Sequence, residues 1–147
     1  MEKKIRNIFV QGPVTESFVA ESIRKHSDKK NIGAHSIFLG QVRADVLDGK
    51  TVTAIEYTAY EEMVLEKMQE IREAVVEKYP LVCMHVYHSL GTVAAGEVSL
   101  FVFISSAHRK AALEACEEVV ERLKAELPVW GREIFEDAGY RWKINTR

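Results

Sequence analysis

The stretch VCMHVYHSLGTVAAGEVSLFVFI, residues 82–104, decides the fold. Val82 to Leu90 reads as a strand, Gly91 to Gly96 as a turn, and Val98 to Ile104 as a nearly uninterrupted apolar run suited to a central strand. Strands joined by a short turn lie antiparallel, because a parallel pair needs a crossover of a dozen or more residues, usually a helix. A doubly wound sheet is therefore disfavoured from the middle of the chain outward.

Two helical patterns flank this hairpin. From Glu61, the residues Met63, Val64, Met68, Ile71, Val75 and Val76 recur every three to four positions until Tyr79-Pro80 stops the run. After Ser105-Ser106 a second long helix carries Ala112, Ala115, Val119, Val120 and Leu123 inward and ends before Pro128. Val129 to Phe135 and Tyr140 to Ile144 form a last pair of strands around Asp137-Ala138-Gly139. Toward the N-terminus, Ile5 to Val10 reads as a strand ended by Gly12-Pro13, and Thr15 caps a short covering helix that runs to the polar break at His26 to Asn31. Ala34 to Val42 and Thr51 to Tyr60 read as a hairpin whose tip carries Asp48-Gly49. The order predicts one α+β domain over residues 1–147, with mainly antiparallel sheet and two long amphipathic helices.

Composition narrows the function. Twenty Lys plus Arg against 22 Asp plus Glu give a formal charge of −2, so no overall field attracts a nucleic acid backbone and any anion site is local. Cys83 and Cys116 form neither a CxxC pair nor a ligand cluster, which fits a reducing cytoplasm. No apolar run approaches the roughly 18 residues of a membrane span. His85 and His88, three apart on a strand, point to opposite faces and argue against one metal site.

Three stretches carry candidate chemistry. Ser105-Ser106-Ala107-His108-Arg109-Lys110 places three basic residues at a helix N-terminus, where cations are disfavoured unless an anion docks on the free N–H groups; side chains extending into water are an equally good account. Lys124 sits in the last helical turns, where it complements the helix dipole and pairs with Glu121, a purely structural role on spacing alone. Arg43, after Phe38-Leu39-Gly40-Gln41-Val42, stands at the edge of a loop, suited to phosphate or carboxylate yet also an ordinary surface arginine. Trp130 and Trp142 could stack on a flat heterocycle, but aromatics at strand positions are more often core, and that reading is favoured.

Taken in this order and at these distances, the stretches resemble the large, catalytic subunit of molybdopterin synthase, the MoaE family. The residues that carry the resemblance are Gly40-Gln41-Val42-Arg43, Ile55-Glu56-Tyr57, Tyr60-Glu61 and Met63, His88 through Gly91, and Gly96-Glu97. Ser106-Ala107-His108-Arg109, then Lys124 with Pro128, Trp130 and Glu133, and finally Arg141-Trp142 complete it, so that it runs from about Ile5 to Lys143.

The resemblance implies an α/β-hammerhead fold and a homodimer within a heterotetramer. Each subunit would accept the tail of a small ubiquitin-like partner ending in a Gly-Gly thiocarboxylate, and two sulfur transfers onto cyclic pyranopterin monophosphate would make a dithiolene. No cofactor and no metal is implied, and no activated cysteine is needed, because the sulfur belongs to the partner. Lys124 corresponds to the family's lysine beside the partner's C-terminal carbonyl, there to stabilise oxyanion charge or move a proton. His108, Arg109 and Arg43 would hold phosphate and pterin, Phe38 and Trp130 would be pocket walls, and Arg141 would complete the anion pocket.

One position departs from the family pattern. Gly131 follows Trp130 where a second lysine is usual. Either Arg132 or Lys143 supplies that charge, or activity is reduced. Two rival readings remain: a dimeric module that docks the partner without turnover, and a small domain that binds a phosphorylated metabolite with no protein tail.

Overall fold

A computed structural model describes residues 7–143, with Ile5, Arg6 and Ile144 of the expected terminal strands outside that range. In chain order the elements are β1 (Phe9–Gln11), α1 (Glu16–Lys25), β2 (Ala34–Gln41), β3 (Val46–Leu47), β4 (Lys50–Ala59) and α2 (Glu61–Lys78). After these come β5 (Cys83–Ala94), β6 (Val98–Ser106), α3 (Arg109–Glu126), β7 (Val129–Phe135) and β8 (Tyr140–Trp142). The α+β class, the mainly antiparallel sheet and the two long helices are as expected.

The strands hydrogen-bond in the order β2-β6-β5-β4-β7-β8, with β1 parallel to β5 and β3 paired with β4. β5 and β6 form the expected antiparallel hairpin, from Cys83 opposite Ser105 to His88 opposite Leu100. Alternation along β6 explains its central place: Leu100, Val102 and Ile104 join α2 and α3 in the main core, while Phe101 and Phe103 face Phe18 and Val19 of α1. A strand buried on both faces needs a neighbour on each edge.

That requirement overturns the hairpin expected between residues 34–42 and 51–60. β2 lies along the free edge of β6, Ala34 opposite Ser106 through Gly40 opposite Leu100, and β4 pairs with β5 and β7 instead. The Asp48-Gly49 signal makes a smaller turn, Leu47 opposite Lys50, with both turn residues at positive φ (52° and 76°). The expected turn at Gly91 to Gly96 is also shorter. β5 runs on through Gly91, at φ 82°, to Ala94, leaving the β6 ladder to pair with β4.

The helices bury the predicted stripes, Val64, Met68, Ile71 and Val75 on α2 and Ala112, Ala115, Val119 and Leu123 on α3. Met63 and Val76, at the margins of the α2 stripe, are exposed. Thr15 caps α1 as expected, its hydroxyl accepting from the Phe18 N–H at 3.2 Å. α3 begins with His108 at its N-cap position, later than Ser105-Ser106, because both serines complete β6.

A candidate active site at the C-terminal end of α3

The site forms where the last turns of α3 meet β4, β7 and the far end of the β2–β6 ladder. A cavity of about 170 Å³ opens there, lined by Lys124, His88, Tyr57, Trp130, Gly131 and Lys143 among others. A bulge between Gly40 and Gln41 parts β2 from β6 at this end, and both residues join the lining.

Lys124 stays solvent-accessible on one side while lining the cavity. Burial of its ammonium, then the nearby charges of Lys143 and Arg43, hold its pKa below the ordinary lysine value, with Glu121 opposing them. Such a cation gives up its proton more readily than a surface lysine does. His88 is driven toward the neutral form, first by burial and then by Lys124, against the pull of the Ser89 carbonyl that its Nδ1 meets at 2.8 Å. The Tyr57 phenol is pushed up by burial, partly offset by its 3.1 Å hydrogen bond with Ser99 Oγ, so it stays protonated. Its ring meets the His88 ring edge-on at 5.1 Å. The cavity therefore brings Lys124 and Lys143 together with an imidazole held toward its neutral form and a phenol held protonated.

Of the residues singled out in the sequence, Lys124 and Trp130 stand on this cavity. Trp130 is 44% exposed and meets the exposed Tyr60 edge-on, at 4.9 Å between centroids, as an aromatic rim. Arg43 is close enough for its charge to act on Lys124, with its guanidinium 3.4 Å from Asp45. Phe38 is turned into the main core and does not line the cavity.

Arg141 pairs with the buried Glu133 at 3.4 Å on the edge strand β8, outside the cavity lining. Arg132 does not face the cavity. It bonds Glu56 at 2.9 Å and lies over the Tyr140 ring, because alternation along β7 sends it to the face opposite Gly131. Lys143 is the alternative cation the structure places in the cavity, its backbone N–H donating to the Gly131 carbonyl at 2.8 Å.

His108 and Arg109 lie elsewhere. Both are exposed at the start of α3, fifteen or more residues before Lys124, which at a rise of about 1.5 Å per residue puts them roughly 22 Å away along the helix. Sequence reading did not single out Tyr57 and His88 as site residues, since an aromatic or a histidine on a strand carries no local mark of what it faces. Neither cysteine lines the cavity, and burial pushes the Cys116 thiol up. His85 and His88 open into different hollows, as their three-residue spacing requires.

The MoaE protein family profile matches residues 14–126. The chain belongs to the MoaE family. The profile covers Lys124, while β7, which carries Trp130 and Gly131, and Lys143, just after β8, lie beyond the matched span.

Molybdopterin synthase catalytic subunits are among the relatives of this MoaE chain. That of Bacillus subtilis is 38% identical over 122 residues, 83% of this chain and 76% of that protein. That of Pyrococcus abyssi is 35% identical over 127 residues, 86% and 84% of the two. The chain spans 64% of the Aspergillus fumigatus relative and 32% of the Drosophila grimshawi one. Molybdopterin synthase from Staphylococcus aureus superposes with a TM-score of 0.82 at 30% identity, over 98% of this chain and 100% of that one. A complex of subunits 1 and 2 of the molybdopterin-converting factor from Helicobacter pylori shares the fold, with a TM-score of 0.78 at 23% identity, over 91% and 87% of the chains.

Proposed function

We propose that this MoaE-family chain is the catalytic subunit of a cytoplasmic molybdopterin synthase. It moves sulfur from the C-terminal Gly-Gly thiocarboxylate of a small ubiquitin-like partner onto cyclic pyranopterin monophosphate, building the dithiolene. The observation that carries the reading is Lys124: a desolvated ammonium of lowered pKa in a cavity with an aromatic rim and no cysteine. Once the partner's sulfur has bonded to the pterin, water attack on the resulting thioester builds oxyanion charge that Lys124 stabilises. The acyl–sulfur bond then breaks, the partner leaves as its C-terminal carboxylate, and the lowered pKa eases proton transfer to the pterin thiolate left behind.

In this reading Lys143 supplies the second cation in place of a lysine at 131, and its role is electrostatic or proton-donating, which an arginine at 132 pointing away cannot fulfil. Arg43, near enough for its charge to act on Lys124, takes the substrate phosphate, and Arg141 extends the positive edge. His108 and Arg109 are out of reach of Lys124 within one chain. They serve the site in a homodimer whose second copy brings its α3 N-terminus to this cavity, the anion docking on the free N–H groups there.

Single-turnover conversion of cyclic pyranopterin monophosphate by the chain with thiocarboxylated partner tests the proposal. Wild type yields molybdopterin, while Lys124→Ala binds the partner but reacts about 10²- to 10³-fold more slowly, the loss typical of one oxyanion contact. Partner binding without product from wild type would replace the enzyme with a docking module.

A further inference from the structure

Three side chains that the cavity does not use converge under the opposite face of the sheet. His26 closes α1, while Cys83 and His85 stand two residues apart on β5 and so share one face. One ligand atom from each lies within 4.8 Å of the others. Nε2 of His26 and Nε2 of His85 are 3.1 Å apart. His26 and Cys83 are buried, and His85 is partly so.

The hydrogen bonds around this group prepare it for a cation. Nδ1 of His26 lies 2.7 Å from the Ser22 carbonyl. A carbonyl only accepts, so the neutral ring carries its proton on Nδ1 and turns the Nε2 lone pair toward His85. Metal-bound histidines are oriented in this way, by an outer carbonyl that fixes tautomer and ring plane. On the sulfur side, Lys29 Nζ donates to Cys83 Sγ at 3.0 Å and so fixes where the sulfur stands.

The spacing also fits. A tetrahedral zinc ion with Zn–N of about 2.05 Å and Zn–S of about 2.3 Å sets its ligand atoms about 3.3 Å (N to N) and 3.6 Å (N to S) apart. The two imidazole nitrogens are already near that separation, and the sulfur, within 4.8 Å of both, has at most about 1.2 Å to close. Hollows of about 260 Å³ beside His26 and His85 and about 240 Å³ beside Cys83 and Lys29 give an entry path and room for a water as fourth ligand.

We propose that His26, Cys83 and His85 form a three-ligand site for a divalent transition-metal ion of the zinc class. Two imidazoles and a thiolate select zinc over magnesium, calcium or manganese, and binding releases the thiol proton. The site's effect falls on α1, none of whose ten residues is fully buried and which rests on the sheet through Phe18 and Val19. A metal bridging His26 to β5 pins the end of that helix. The site is separate from the Lys124 cavity, so it stands or falls independently of the synthase reading.

Chelator-treated, untagged protein titrated with cobalt(II) and then with zinc is the test. The expected result is saturation at one cobalt per chain, with tetrahedral d–d bands and a sulfur-to-cobalt charge-transfer band that one equivalent of zinc removes. The charge-transfer band disappears in Cys83→Ser and persists in Cys116→Ser, and cobalt affinity drops about tenfold or more in His26→Gln. Zinc raises the thermal midpoint of wild type and not of Cys83→Ser, each variant being checked for native far-UV circular dichroism. Folded wild type that develops no tetrahedral bands would overturn the site, leaving a hydrogen-bonded imidazole pair. Bands that survive Cys83→Ser unchanged would overturn it equally.

Discussion

Replacing Gly131 by alanine tests the packing around the cavity floor and the departure from the family pattern together. A Cβ there would lie 2.9 Å from Cγ2 of Ile55 and 3.4 Å from the Tyr57 ring. Carbon atoms rest about 3.5–4.0 Å apart, so the first contact is short by roughly 0.6 Å or more. Ile55 is 2% exposed, packed with Val42 and Val93, and β-branched, so it has little room to turn away. Overpacking of this kind costs about 1–3 kcal/mol, against which replacing a strand glycine regains about 0.4–1 kcal/mol of chain entropy. The net expectation is a loss of about 0.5–2 kcal/mol, read in urea unfolding at fixed protein concentration as a midpoint lowered by a few tenths of a molar to about 1 M at unchanged m. In an Ile55→Ala background, which removes the clashing methyl, the same substitution becomes neutral or stabilising. Gly131→Ala as stable as wild type in the Ile55 background would refute the argument. Gly131→Lys carries the same clash and adds a third cation beside Lys124 and Lys143, so it loses stability without gaining rate.

Three further outcomes are expected. Removing a neighbouring cation with Lys143→Met moves the Lys124 pKa upward, toward the ordinary lysine value, which a titration of ¹³C-methylated lysines by NMR detects. His88 has its pKa lowered in the fold from the ordinary 6.5, so the stability tied to its neutral form is complete above about pH 6.5 and is lost on acidification, as the unfolded chain takes up the proton first. His88→Gln therefore flattens the acid side of the stability profile, by up to about 1.4 kcal/mol per pH unit. If His108 and Arg109 act across a dimer, Lys124→Ala and Arg109→Ala are each slowed about 10²-fold or more alone, and an equal mixture regains about a quarter of wild-type turnover, because half the dimers are mixed and each has one intact site. No recovery on confirmed subunit exchange would place both groups' action within one chain.

Local spacing made much of this protein legible in sequence. Val64, Met68, Ile71 and Val75 recur with the helical period, the Thr15 hydroxyl sits where a cap must, Asp48-Gly49 demands a turn, and the apolar run of β6 requires burial on both faces. Each of these depends on residues within a few positions of one another. Family resemblance brought Lys124 and Trp130 forward, whereas their spacing alone favoured structural roles. Only the tertiary structure decided which strand takes the open edge of β6, since any strand of suitable length satisfies its hydrogen bonds and the choice rests on how the whole sheet closes. The same holds for the sites. Tyr57 and His88 meet Lys124 through strand pairing between distant segments, Lys143 reaches the cavity because β8 folds back on β7, and Arg132 is turned away by alternation along that strand. His26 lies 59 residues from His85, a separation no motif spans, and it reaches β5 because α1 covers the face of the sheet to which Cys83 and His85 point.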